Sequence, residues 1–354
     1  MHANRAALRL ALLVVSVLLP FAGFEAGLRI WSPVSFRAPQ PRLPGDMWRE
    51  VLHVRSPIPG LSYELAPRRE TFATGVPIAT NAQGMRSYEL LAKSHHVRRV
   101  AVVGDSYTFG FGVPMHQTFV AETERLLNGS DRDARQYEFL NFGVGGYSSR
   151  DEALVVEHKV LPLDPDLILI AYSLNDPEVE PLQPVHSYYQ DVALWQWSHV
   201  LRKLSQARLE LDIRRLGGGD YIRYLHRHAH KWRSVEQALG RIAALAGARR
   251  VPAALVIFPH SLVMRWDAYP YGPEHAQVAR AARAAGLPVL DLLTAFQRAG
   301  RPLRLRVGRT DDHPNQRAHA LAARHIETWL RNELLGPEES NGSDPHAIAP
   351  PFIH

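Results

Sequence analysis

Val100-Ala101-Val102-Val103-Gly104-Asp105-Ser106-Tyr107 is a short apolar, β-branched run that stops abruptly at Gly-Asp-Ser. Such a run reads as a strand buried on both faces of a parallel sheet. Its end lies at the carboxyl edge, where α/β proteins meet their ligands. A serine delivered there can reach substrate. Three further pieces follow in order: Asn141-Phe142-Gly143-Val144-Gly145-Gly146, then Ser173-Leu174-Asn175-Asp176, then Asp311-Asp312-His313-Pro314-Asn315. A serine, glycine-rich turns, a loop asparagine and a late Asp/His pair are the parts of a serine esterase site.

Around these pieces the chain alternates strand and helix. Strand-like runs occur at Arg99 to Val103, Tyr137 to Asn141, Leu167 to Ala171, Ala253 to Phe258 and Pro288 to Leu290. Helical periodicity fills 115–128, 149–160, 273–286 and 315–334. This rhythm predicts an α/β domain whose parallel sheet is covered by helices on both faces. Asn315 is placed to cap the last helix, along which Ala318, Ala322, Ile326, Trp329, Leu330 and Leu334 recur at helical spacing. Between Asp176 and Arg250 the rhythm breaks. That stretch, rich in Trp, Tyr, Arg and Leu, predicts two or three amphipathic helices inserted over about 177–250 at the ligand-binding edge. Residues 32–79 read as a Pro- and Arg-rich linker that packs partly on the domain. Thr80 to Arg86 reads as a turn opening the core domain, 80–335, and 336–354 as a disordered tail.

Composition narrows the chemistry. The chain has 354 residues, 46% of them hydrophobic and 21% charged, enough to bury a large core. There is no cysteine, which excludes disulfides, thiolate nucleophiles and Cys-zinc sites. The net charge of +6 includes Arg214-Arg215, Arg249-Arg250 and Arg301 to Arg309. These clusters suit solvated helix faces, or attraction to anionic lipid or acidic polysaccharide. No nucleic-acid motif accompanies them. Leu10 to Phe24 carries no charge and follows Arg5 and Arg9. Extended from Ala6 to Ile30 it makes a membrane-length helix with Arg9 and Glu25 near its ends. No Ala-x-Ala site follows, so residues 1–31 predict an uncleaved anchor more than a cleaved signal. The positive charge before it puts the remainder outside the cytoplasm.

Each chemical piece has a role that its residue types suit. Ser106 is the candidate nucleophile. It is not in a Gly-x-Ser-x-Gly elbow, because residue 108 is Thr, which argues against the ordinary α/β-hydrolase arrangement. A glycine at Gly143 can offer a backbone N–H to a developing oxyanion, and Asn175 a side-chain N–H. His313 can take the serine proton, with Asp311 or Asp312 fixing its tautomer; Asp311, two residues away, is preferred. His226, His228 and His230 form a cluster in which a shared helix face would offer His226 and His230 as metal ligands, but the carboxylate pattern of a zinc helix is missing, so they read as part of a solvated basic face.

Taken together, the four pieces resemble the SGNH (GDSL-type) hydrolase family, over roughly residues 80–335. Gly104-Asp105-Ser106 is similar to its first block, Gly143 to its second, Asn175 to its third and His313 to its last. The resemblance implies a three-layer α/β/α fold of flavodoxin-like type and serine ester chemistry without metal or other cofactor. It implies Ser106 as nucleophile with His313 and Asp311. It also implies an oxyanion hole from the N–H groups of Ser106 and Gly143 and the Asn175 side chain. The sequence departs at two places: Ser173 stands where the third block has glycine, and Thr310 removes the usual Asp-x-x-His spacing. The N-terminal helix, the Asn81 to Arg86 turn and the Asn141 to Ser148 stretch look like membrane-anchored bacterial members. That likeness points to an O-acyl esterase or acyltransferase on an envelope carbohydrate at the inner membrane. A lipase or thioesterase and a non-catalytic glycan-binding protein are the alternatives.

Overall fold

The structure, a computed structural model, describes residues 2–31, 51–129, 136–178 and 198–335. The chain opens with helix α1 (His2–Trp31). Two antiparallel hairpins follow: β1 (His53–Arg55) with β2 (Tyr63–Leu65), and β3 (Glu70–Ala73) with β4 (Val76–Ala79). The core domain then runs β5 (Val97–Gly104), α2 (Ser106–Phe109), α3 (Phe119–Asn128), β6 (Gln136–Gly143), α4 (Ser149–Val155) and β7 (Leu167–Tyr172). Next come α5 (His199–Gly217), α6 (Tyr221–Arg227), α7 (Ala229–Arg249), β8 (Ala253–Ile257), α8 (Gly272–Ala284), β9 (Val289–Asp291), α9 (Leu293–Arg298) and α10 (Gln316–Trp329).

β5 to β9 form one parallel sheet in the order β6-β5-β7-β8-β9. That is the flavodoxin-type order, and its switch point lies between β5 and β7. Successive residues of each strand point to opposite faces. Ala101, Val103, Ile168, Ile170, Leu255 and Ile257 enter one core, with Val235, Leu239 and Ile242 of α7 and Val278 of α8. Val100, Val102, Leu167, Leu169, Ala254 and Val256 enter the other, with Phe119 and Leu127 of α3 and Ala322 and Ile326 of α10. Both faces are buried, which is why these strands read as unbroken apolar runs. The sheet with helices on each face is the expected three-layer α/β/α fold.

Two expectations gain detail on inspection. The segment expected to pack partly on the domain does so through its two hairpins. Leu52, Leu61, Tyr63, Leu65, Val76 and Ile78 of the hairpin region are buried in the first core. Tyr147 Oη donates to Tyr63 O at 2.6 Å, and Tyr63 Oη donates to Gly145 O at 2.7 Å, which fastens the hairpins to the β6 turn. A hairpin of three-residue strands carries too little pattern to register as strand in sequence. The inserted region contains α5, α6 and α7, but α7 packs on α4 against the sheet and is the crossover between β7 and β8. Residues 179–197, with Trp195 and Trp197, and 32–50 and 336–354 lie outside the described residues.

Helix α1 includes an apolar stretch, Ala11–Trp31, long enough to cross a membrane. Leu12, Leu13, Leu18, Leu19 and Phe24 are exposed along it. Glu25 near its end accepts hydrogen bonds from Ser198 Oγ (2.8 Å), His199 N (3.0 Å) and Val200 N (3.1 Å). A carboxylate on the free N–H groups of a helix start is favourable. Glu25 thus ties α1 to the first turn of α5.

Candidate active site

Ser106 follows Gly104 and Asp105 just past the end of β5, beside the switch point between β5 and β7. Gly104 is required by space: a Cβ there would lie 2.1 Å from Thr108 Oγ1 and 2.9 Å from Ala171 O. Asp105 caps α2 by accepting Tyr107 N–H at 2.9 Å. Ser106 opens that short helix, so its own N–H has no acceptor within it. The following loop is fixed by Arg86, a buried guanidinium from the Asn81 to Arg86 turn. It donates to Phe109 O, Gly110 O and Val113 O, each at 2.7 Å. Burial lowers the Arg86 pKa to about 10.

His313 reaches the serine from the other end of the chain. Asn315 caps α10, accepting Arg317 N–H and Ala318 N–H, and its amide holds Arg304 O and Arg306 O at 3.0 Å each. Val307 N–H donates to His313 O at 2.9 Å. These bonds fold 304–315 into a tight loop whose apex faces Ser106. His313 Nε2 lies 2.8 Å from Ser106 Oγ. His313 Nδ1 lies 2.6 Å from Asp311 Oδ1, which also accepts the His313 backbone N–H at 3.0 Å. The rings of Phe111 and Tyr107 flank the imidazole at 4.6 and 5.7 Å between centroids.

The electrostatics agree with this order. Burial disfavours a charged His313 ring, but the Asp311 hydrogen bond and the Asp312, Asp311 and Asp105 charges outweigh it and raise its pKa. The His313 hydrogen bond, against an opposing burial effect, lowers the Asp311 pKa. Asp312 is occupied elsewhere. Its Oδ2 lies 3.0 Å from His260 Nδ1 and 3.0 Å from Tyr107 Oη, and its backbone O accepts from Ser261 Oγ at 2.7 Å. Burial alone would raise the Asp312 carboxyl; the His260 hydrogen bond and charge and the His313 charge bring it well below the usual range. Of the two aspartates, Asp311 is thus the one bonded to His313.

Asn175 arrives from the end of β7, the neighbour of β5. Its Nδ2 donates to Asp105 Oδ2 at 3.0 Å, and Ser106 Oγ lies 3.5 Å from the same oxygen. A primary amide has two N–H groups, so one remains beyond the bond to Asp105. Gly143 needs correction. It pairs with Gly104 across the sheet, and its N–H already donates to Asn141 Oδ1 at 2.9 Å. It is glycine because a Cβ would lie 2.2 Å from Phe109 N. In the same turn Gly145 lies near the serine, where an added Cβ would stand 3.9 Å from Ser106 Cβ.

Segments far apart in sequence thus converge at one sheet edge, and a sequence profile of the GDSL-like lipase/acylhydrolase family matches residues 102–321. The chain belongs to that family. It is an ester hydrolase by family. Solved structures it resembles include an acetylxylan esterase, Axe2, from Geobacillus stearothermophilus, at 16% identity and TM-score 0.42, covering 65% of this chain and 92% of that one. Another is the psychrotrophic esterase EstA from Pseudoalteromonas sp., at 14% identity and TM-score 0.40, covering 66% and 100%. A third is a two-domain esterase, CEX, active on acetylated mannans, at 16% identity and TM-score 0.42. The match covers 66% of this chain and 49% of CEX, so the chain spans about half of that protein. No curated protein sequence matches the chain.

Several residues of this GDSL-family site escaped the sequence reading. Asp105, Ser173, Tyr107, His260 and Arg86 organise it without belonging to an obvious catalytic pattern. Asp105 and Ser173 had a usable signal: each directly follows a strand of an adjacent parallel pair. The histidines expected on a solvated basic face divide: His230 is exposed, but His226 is not on that face. His226 is buried between Tyr172 Oη (3.2 Å) and Ile222 O (2.9 Å), and burial lowers its pKa to about 4.

Proposed function

We propose that Ser106 is the nucleophile, His313 its general base and Asp311 the acid that orients it, in an enzyme that hydrolyses or transfers O-acyl groups on a cell-envelope carbohydrate. The observation that carries this reading is the hydrogen-bond chain Ser106 Oγ to His313 Nε2 at 2.8 Å and His313 Nδ1 to Asp311 Oδ1 at 2.6 Å. His313 takes the Ser106 proton as Oγ attacks the ester carbonyl, and returns it to the departing alcohol. Asp311 stabilises the imidazolium formed between the two steps. The oxyanion is met by the Ser106 N–H, the second Asn175 N–H and the turn at Gly145. Water or a sugar hydroxyl then attacks the acyl-enzyme, which separates hydrolase from transferase.

Small acyl groups on a hydroxyl-rich alcohol suit a site with half-buried polar groups: Asn175, Asp312 next to His313, and His260 bonded to Asp312. The apolar stretch of α1, with Arg5 and Arg9 before it, supports a single-pass inner-membrane anchor with the catalytic domain on the periplasmic side. The test is a fluorophosphonate probe with wild type and Ser106→Ala, followed by nitrophenyl acetate and long-chain nitrophenyl esters. Labelling that depends on Ser106 and a preference for acetyl support the reading. Labelling with long-chain preference would move the substrate to lipid or thioester. No labelling and no ester hydrolysis would refute a serine esterase.

A further inference from the structure

Ser173 stands where the third block of the family pattern has glycine, and it is fully buried. Its Oγ lies 2.8 Å from Asp105 Oδ2, 2.7 Å from Asn175 Oδ1 and 2.8 Å from Asp176 Oδ1. A hydroxyl has one proton, so it donates to only one of these three oxygens. A second contact at that distance is a hydrogen bond only if the partner brings a proton. Asn175 Oδ1 carries none. Turning the amide over would set its carbonyl oxygen against Asp105 Oδ2, 3.0 Å away, so Asp105 fixes the amide orientation. Asp105 accepts Tyr107 N–H at Oδ1 and Asn175 Nδ2 at Oδ2, and burial pushes its carboxyl above the usual range.

Asp105 and Asp176 can each bring a proton to Ser173 Oγ, which leaves the Asn175 carbonyl as the acceptor of the Ser173 proton; Asp176 also faces a further buried acid. It is buried, and Ser149 N–H holds its backbone O at 3.2 Å, which brings α4 and Glu152 against it. Both carboxyl oxygens of Glu152 are buried without a hydrogen-bond partner among the described residues. Three carboxyl groups this close in a dry interior do not all ionise. Burial, with the neighbouring carboxyl charges, drives Asp176 and Glu152 well above the usual carboxylate range.

We infer that Ser173 is a positioning residue for the ester reaction: its hydroxyl, held between the Asp105 and Asp176 carboxyl groups, donates its proton to the Asn175 carbonyl, orienting that amide and strengthening its free N–H as an oxyanion donor. Chained hydrogen bonds polarise one another, and an amide whose oxygen accepts a bond donates better from its nitrogen. The proposal rests on the serine-esterase reading above, in which Asn175 faces the oxyanion.

The experiment is a double-mutant cycle on kcat and KM for nitrophenyl acetate, using Ser173→Ala, Asn175→Ala and the double variant. Ser173→Gly serves as a second single variant, and melting is followed for all. Ser173→Ala should lower kcat about tenfold, the size of one net hydrogen bond, with KM within twofold. In the Asn175→Ala background the same change should cost less than twofold, because the amide through which it acts is gone. An active, labelled wild type whose Ser173→Ala kcat stays within twofold would overturn the proposal alone. So would a tenfold loss that persists without Asn175, or two Ser173 variants that fail to fold while Asn175→Ala folds, since these make the serine structural. An unlabelled, inactive wild type removes the esterase reading and the proposal with it.

Discussion

Asp311→Asn is the most informative single change, because the structure assigns the two adjacent aspartates different work. Asp311 Oδ1 accepts from both His313 Nδ1 and the His313 backbone N–H. The backbone bond anchors an oxygen at that position, so the substituted amide keeps its carbonyl oxygen toward the ring. The variant then retains the tautomer and loses the charge. A hydrogen bond to a charged group contributes about 1.5–3 kcal/mol, and each 1.4 kcal/mol is a factor of ten. The expected loss in kcat/KM is therefore roughly 10–10². A loss near 10⁴ would mean that the amide turns over and imposes the wrong tautomer. Asp312→Asn changes a residue bonded to His260 and Tyr107, not to His313. Its cost should stay under about tenfold, the range of a single neutral hydrogen bond. The assay is nitrophenyl acetate hydrolysis across pH for both variants, with melting as a control. A larger loss for Asp312→Asn than for Asp311→Asn would refute the assignment of Asp311.

Ser106→Ala and His313→Ala should each abolish turnover while the protein stays folded, and the double variant should be little worse than either, because the pair acts as one unit; additive losses would argue against that unit. Asn175→Ala should lower kcat by roughly 10²–10³, the usual cost of one oxyanion donor, with less change in KM; a change confined to KM would make Asn175 a substrate-binding residue. The His313 pKa is raised, and the base must be neutral, so kcat/KM should rise with pH through a midpoint above the ordinary value of about 6.5. The same shift stabilises the folded state fully below about pH 6.5, and that stabilisation is lost as pH rises through the folded pKa; a midpoint below about 6 in the free enzyme would contradict it. A periplasm-specific reporter fused after His354 should be active, whereas activity of a cytoplasm-specific reporter at that position would reverse the orientation.

The central sheet was readable because the physics that forms it leaves a local trace. A strand buried on both faces must be apolar at every position, as Val100 to Val103 and Leu167 to Tyr172 are. The five expected runs coincide with β5 to β9 within a few residues. The hairpins at 53–79 were not readable. Their strands are three or four residues long, and their burial comes from contacts with Val144, Tyr147 and other residues far along the chain. Proline and arginine around them imitate a linker. The role of α7 as a crossover was hidden for the same reason: a helix pattern does not say which sheet it packs on.

The site shows where sequence reading stops. Ser106, Asn175, Asp311 and His313 could be singled out because each carries a reactive or polar group at a strand end or in a loop. Gly143 was assigned by position in a glycine-rich turn, and in such a turn three glycines look equivalent. The structure separates two of them: Gly143 pairs with Gly104 and spends its N–H on Asn141, and Gly145 falls beside the serine. Asp105 illustrates the same limit from the other side. As a sequence letter it is a helix cap. In space it is fully buried, accepts from Tyr107 and Asn175 and touches the Ser173 hydroxyl, so it joins the ends of β5 and β7 into one rigid edge. That edge sets the spacing between the serine and the asparagine, and a reaction that depends on both has little tolerance for its loss. Replacing Asp105 by Asn would keep the shape and remove the acceptor for at least one of its donors. Buried polar groups stripped of their partner are costly, so such a change should disturb catalysis and folding together, whereas the changes at Ser106 and His313 separate the two.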